Sequence, residues 1–145
     1  MSRALQLLAE QLEKQERQAA AQFNGAQLQL QQLEQQQQML NQYQQNYSQE
    51  FQQRGQQGLS SYQFSHFQGF INKLEVAQEQ QQAGLQQART HVETCRSAWL
   101  ALRTRQQAIE KLLERAAERK KQEANRQEQK ELDNLSIYRF HKKER

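Results

Sequence analysis

Ile71, Leu74, Gln78, Gln81, Leu85, Ala88, Val92, Cys95, Trp99, Leu102, Gln106, Ile109, Leu113 and Ala116 follow one another at alternating steps of three and four. On a helix this spacing returns each residue to one face, and sustained over many turns it is the heptad seam of a coiled coil. Most positions are apolar, and the three glutamines are polar interruptions that lower stability while fixing register. The first half carries a matching seam at Phe23, Ala26, Leu30, Leu33, Gln37, Leu40, Gln44, Tyr47 and Phe51. Leu5, Leu8 and Leu12 begin a further stretch. It joins Phe23 only with one extra residue, which predicts a stutter near Glu16.

Composition supports long helices over a compact core. Hydrophobic residues make up 35% of the 145, there is no proline, and there are five glycines. Mean hydropathy is -1.17. The abundant Gln, Glu, Ala, Leu, Lys and Arg are all good helix formers. A disordered glutamine-rich chain is the compositional alternative, and the periodicity argues against it.

The break falls at Arg54-Gly55-Gln56-Gln57-Gly58-Leu59-Ser60-Ser61, where two glycines allow a reversal and Ser60 or Ser61 can cap the next helix. The expected fold is all-α, a long two-helix antiparallel coiled-coil hairpin forming one domain over 1–145. Helix 1 is expected over about 3–54, the turn over about 55–60, helix 2 over about 61–133, and a flexible tail over 134–145. Pairing about Gln57 sets Tyr47 opposite Phe67, Leu40 opposite Leu74 and Leu5 opposite Ile109. The second helix then overhangs the first from about Leu113.

Charge is uneven. Residues 103–145 hold thirteen basic and eight acidic side chains, whereas 1–102 hold seven and eight. The basic end alternates signs, as in Glu118-Arg119-Lys120-Lys121, which suits a solvated helix or a dock for acidic protein surface. Nucleic acid is the least favoured partner, because acids dilute the basic residues. No apolar run reaches the roughly 18 residues of a membrane span and the N-terminus does not read as a signal peptide. A cytoplasmic protein is expected. Cys95 is the single cysteine and falls on the seam, where it reads as a small apolar group. His66, His91 and His141 are too dispersed to make a metal site with it. No catalytic, cofactor-binding or metal-ligating residues are expected, and the chain is not expected to be an enzyme.

Near the turn, Tyr43, Phe67 and Phe70 add large rings beside the seam; one reading is that they thicken the core, and the favoured one, since one partner helix cannot bury them all, is a protein-binding patch. Gln36, Leu40, Tyr43 and Tyr47 share one face of the first helix, as do Phe70, Leu74 and Ala77 on the second.

The run Met39-Leu40-Asn41-Gln42-Tyr43-Gln44-Gln45-Asn46-Tyr47, then Gly58-Leu59-Ser60, then Phe67-Gln68-Gly69-Phe70-Ile71-Asn72-Lys73-Leu74, resembles the flagellar export protein family FliJ. Trp99 and Asn125-Arg126-Gln127-Glu128-Gln129-Lys130-Glu131-Leu132-Asp133 are similar to it too. The resemblance covers nearly the whole chain and implies a stalk-like component of the type III flagellar export apparatus. By that resemblance the helical ends enter the hexameric export ATPase FliI, with Arg115, Arg119, Lys120, Arg126 and Lys130 as the basic contacts. It also implies docking on the export-gate protein FlhA through Gln36, Leu40, Tyr43, Tyr47, Phe70, Leu74 and Ala77. Export chaperones are further implied partners, with peripheral attachment at the cytoplasmic face of the inner membrane. Gln81 stands where some relatives carry histidine, and Asn134 where an acid often follows Asp133. The rival readings are the equivalent stalk of a virulence injectisome and a generic coiled-coil scaffold.

Overall fold

The computed structural model describes residues 2–144, which form two helices, α1 (Ser2–Gln57) and α2 (Ser61–Glu144). They pack against each other as an all-α hairpin. The chain divides into two units. One combines Met1–Arg17 with Ala101–Arg145 and the other spans Gln18–Leu100.

Three residues separate the helices. Gly58 adopts φ of +96°, and its N–H donates to the Gly55 carbonyl at 3.3 Å, which is the left-handed glycine cap that ends a helix. Ser60 then opens α2 through a reciprocal box. Its Oγ accepts from the Gln63 N–H at 3.1 Å, and its own N–H donates to Gln63 Oε1 at 3.2 Å. The expected turn over 55–60 is therefore tighter, because Gly55 stays helical and Gly58 alone supplies the left-handed step. A Cβ at either glycine would meet no atom within 4 Å, so substitution there tests backbone conformation alone. Gly58→Ala is expected to cost about 1–2 kcal/mol for the left-handed strain. Gly55→Ala is expected to add about 1 kcal/mol from helix propensity. Thermal unfolding followed by circular dichroism separates the two.

In the unit 18–100, the apolar seams meet as their spacing requires. Ala19, Ala26, Phe67, Leu74, Leu85 and Cys95 are buried, and every seam position between them is half-buried. Tyr47 meets Phe67 with ring centroids 5.2 Å apart, the expected pairing. Farther from the turn, strict pairing about Gln57 would put His91 opposite Phe23, yet Phe23 meets Trp99 at 5.7 Å. Strict pairing about Gln57 thus holds beside the turn and not at this contact, where the partner lies farther along α2.

In the unit made of 1–17 and 101–145, Leu12 is buried and Leu102, Gln106, Ile109, Leu113 and Ala116 are half-buried. On α1 the half-buried residues here are Leu5, Ala9 and Glu16, while Leu8 is 42% exposed. Steps of four and three through Leu5, Ala9, Leu12, Glu16, Ala19 and Phe23 are regular, so the expected stutter near Glu16 is absent. Ala9, and not its larger neighbour Leu8, takes the seam position. Phase, set by the buried positions on either side, decides which one faces inward.

Past Ala116 no described residue of α2 is buried or half-buried. The helix nonetheless runs on to Glu144, beyond the expected end near 133. Asp133 and Asn134 are weak helix formers, but neither glycine nor proline follows to stop the helix. His141, Lys142 and Lys143 in the last turn suit the negative end of the helix dipole.

Candidate functional site

Two surfaces correspond to the sequence-derived candidates, one in each unit. The first is aromatic and lies by the turn. On α1, Tyr43, Tyr47 and Phe51 recur each turn, and on α2 Phe64, Phe67 and Phe70 recur every three residues, so both sets line the facing sides of the helices. Phe67 is 7% exposed and forms the middle of the cluster, touching Tyr47 and, at 5.3 Å, Phe51. Phe70 lies 4.4 Å from Tyr47 and meets Tyr43 edge-on at 6.1 Å. Phe64 meets Phe51 at 5.8 Å. The Arg54 guanidinium sits 5.7 Å over Phe67 and pairs with Glu50 at 3.0 Å.

This cluster answers both readings of the surplus rings. Phe67 thickens the core, whereas Tyr43 is 51% exposed and presents its ring to solvent. Of the remaining candidates, Gln36 is exposed, Leu40, Tyr47, Phe70 and Ala77 are half-buried, and Leu74 is 6% exposed. Leu74 therefore supports the patch from beneath. Sequence reasoning passed over Tyr62 and Phe64, which are 82% and 52% exposed beside the turn. Their aromatic character next to Ser60 was the available signal.

Burial holds the Tyr47 phenol above its usual pKa, the nearby Glu50 and Tyr43 add to the effect, and Arg54 opposes it. The neutral phenol is thus favoured in the folded chain. Its contribution to stability is complete below the unfolded tyrosine pKa near 10 and is lost as pH rises through the higher folded value. Absorbance titration is expected to show one late-ionising tyrosine that disappears in Tyr47→Phe.

The second surface is the unaccompanied part of α2. Arg115, Arg119, Arg126 and Lys130 are separated by four, seven and four residues, which places them on one narrow stripe, and Lys120 lies about a quarter turn away. All five are exposed, and among the described residues none is in an ion pair. Leu132, Leu135, Ile137, Tyr138 and Phe140 follow, each about half exposed or more, spread around the helix instead of along one face.

Among the described residues no group of three or more His, Cys, Asp or Glu side chains could hold a metal ion. Cys95 is buried, with His91 Nε2 3.7 Å from its Sγ. No described helix is long and apolar enough to cross a membrane.

Two long helices packed in an antiparallel hairpin are the architecture of a coiled-coil protein. The family model described as Flagellar FliJ protein matches residues 1–145, the whole chain, and the chain belongs to the FliJ family. It is a component of the flagellar protein export apparatus. No curated protein and no solved structure matches it.

Proposed function

We propose that this protein acts as a stalk, binding and activating the hexameric export ATPase FliI and coupling it to the export gate FlhA. The observation that carries the reading is the extension of α2 past Ala116. It is helical, none of its described residues is buried or half-buried, and Arg115, Arg119, Arg126 and Lys130 stripe the helix without an ion pair, which suits entry into a surrounding ring of subunits. Within the same unit, the N-terminal turns of α1 lie against the seam of α2 up to Ala116 and supply the other helical end. The chain itself hydrolyses nothing in this reading. It promotes ring assembly and makes the ATPase subunits inequivalent.

The aromatic face is the gate contact. Tyr43 and the accessible edges of Tyr47, Phe70, Leu40 and Ala77, with Gln36 at the border, offer the ring-rich surface that protein docking favours. Export chaperones are escorted through the same attachment, and the protein works in the cytoplasm, peripherally associated with the inner membrane. The test is the hydrolysis rate and ring formation of purified export ATPase with and without the full chain. Stimulation is expected, and an unchanged rate with unchanged assembly would overturn the stalk reading.

A further inference from the structure

Between the aromatic end and the Phe23–Trp99 contact, the unit 18–100 carries four polar seam positions: Gln37 and Gln44 either side of Leu40 on α1, and the consecutive Gln78 and Gln81 on α2. Their hydrogen bonds are incomplete. Gln78 Nε2 donates to Asn41 Oδ1 at 3.0 Å and to Gln44 Oε1, and Gln37 Nε2 donates to the same Asn41 oxygen at 3.3 Å. Gln81 Nε2 reaches the Leu33 backbone carbonyl at 3.1 Å. Gln37 Oε1 is buried with no partner. A partly satisfied polar layer holds helices together less well than an apolar one.

In many coiled coils such a layer exists to fix register. Here the three-residue turn, the Gly58 cap and the Ser60–Gln63 box already fix it, so the glutamines are redundant for that purpose. What remains is their mechanical consequence. The layer flanks Leu40 and Leu74, the two aliphatic members of the aromatic face, and Leu74 is the one the folded seam conceals.

We infer that the hairpin parts locally at the glutamine layer and thereby uncovers Leu40 and Leu74 as an apolar edge on which the gate docks. This rests on the gate reading above. The chemistry of the occupant follows from the α1 side of the edge, where residues 35–49 contain no charged side chain; on α2, Lys73, Glu75 and Glu79 border Leu74. Facing α1, the partner element is therefore an uncharged, aliphatic or aromatic ridge that continues the contact begun by the exposed Tyr43 ring.

The experiment is amide hydrogen exchange on the full free chain, followed by its affinity for the purified cytoplasmic domain of the gate. Amides of 37–44 and 74–81 are expected to exchange at least tenfold faster than those of 23–30 and 88–99. Gln44→Leu/Gln78→Leu is expected to raise their protection at least tenfold and to weaken gate binding severalfold. Gln44→Ala/Gln78→Ala is expected to lower protection further. Equal exchange in the layer and its flanks overturns local parting. Raised protection in the leucine variant with unchanged gate affinity overturns the docking role alone. Failure of the unaltered chain to bind the gate overturns the gate reading while leaving the exchange result intact.

Discussion

Cutting the chain after Leu113 is expected to abolish stimulation of the export ATPase while leaving the hairpin folded. Among the described residues, those removed hold a single half-buried seam position, Ala116, and all the others are exposed. Their loss takes away little packing, so the unfolding free energy is expected to change by no more than about 1 kcal/mol. Function is a different matter, because the deletion removes Arg115, Arg119, Lys120, Arg126 and Lys130 together. Charge reversal separates the stripe from the mere presence of a helix. Arg119→Glu with Arg126→Glu is expected to lower stimulation strongly, Lys120→Glu weakly, since Lys120 points off the stripe. Stimulation by the unaltered chain is expected to fall as salt rises, as screened surface charges require. Full activity in the truncated chain would remove the extension from the mechanism.

Replacing Tyr43, Tyr47 and Phe70 together by alanine is expected to weaken gate binding at least a hundredfold and to abolish swimming. Buried aromatic anchors at interfaces commonly contribute about 2 kcal/mol or more each. The substitution also removes the 4.4 Å contact of Tyr47 with Phe70, an aromatic pair of about 0.5–1.5 kcal/mol, so some loss of thermal stability is expected as well. Phe67, Phe51 and Phe64 keep the turn end closed. The single change Tyr43→Ala gives the cleaner reading, since this ring is half in solvent and its loss barely touches the core. It is expected to weaken binding with the melting temperature nearly unchanged. A motile triple variant with unaltered gate affinity would refute the assignment.

The α2 seam was legible because alternating steps of three and four leave one face, and all positions from Ile71 to Ala116 lie on it. Leu8 shows the limit of that reading. A leucine beside an alanine looks like the core residue, but phase carried from Leu12 and Ala19 turns Ala9 inward, half-buried, and leaves Leu8 out. The turn was placed from its glycines, yet which one takes the left-handed conformation depends on where the last helical carbonyl is capped. For the aromatic face, the ring count announced a patch. The ring count alone does not separate Phe67, 7% exposed, from Tyr43, 51% exposed; phase does, since Phe67 lies four residues before Ile71 on the α2 seam and Tyr43 falls beside Gln44, off the α1 seam. The basic stripe was named residue by residue from charge, and the displacement of Lys120 emerged only from its angular position.

The tight turn has a kinetic consequence. Ring contacts such as Phe51–Phe64 close a short stretch of chain, whereas Phe23–Trp99 closes a long one. Loop-closure entropy grows with separation, so the first productive encounter belongs to the turn. Folding then zips outward, each new layer costing little because the one before it has already brought the strands of the chain into register. Fraying from the ends follows the same order: the helical termini, which the proposed function assigns to the ATPase, open more often than the turn, while the glutamine layer parts separately within the hairpin. A ring of subunits that closes around those termini would therefore capture a labile part of the molecule and slow its unfolding.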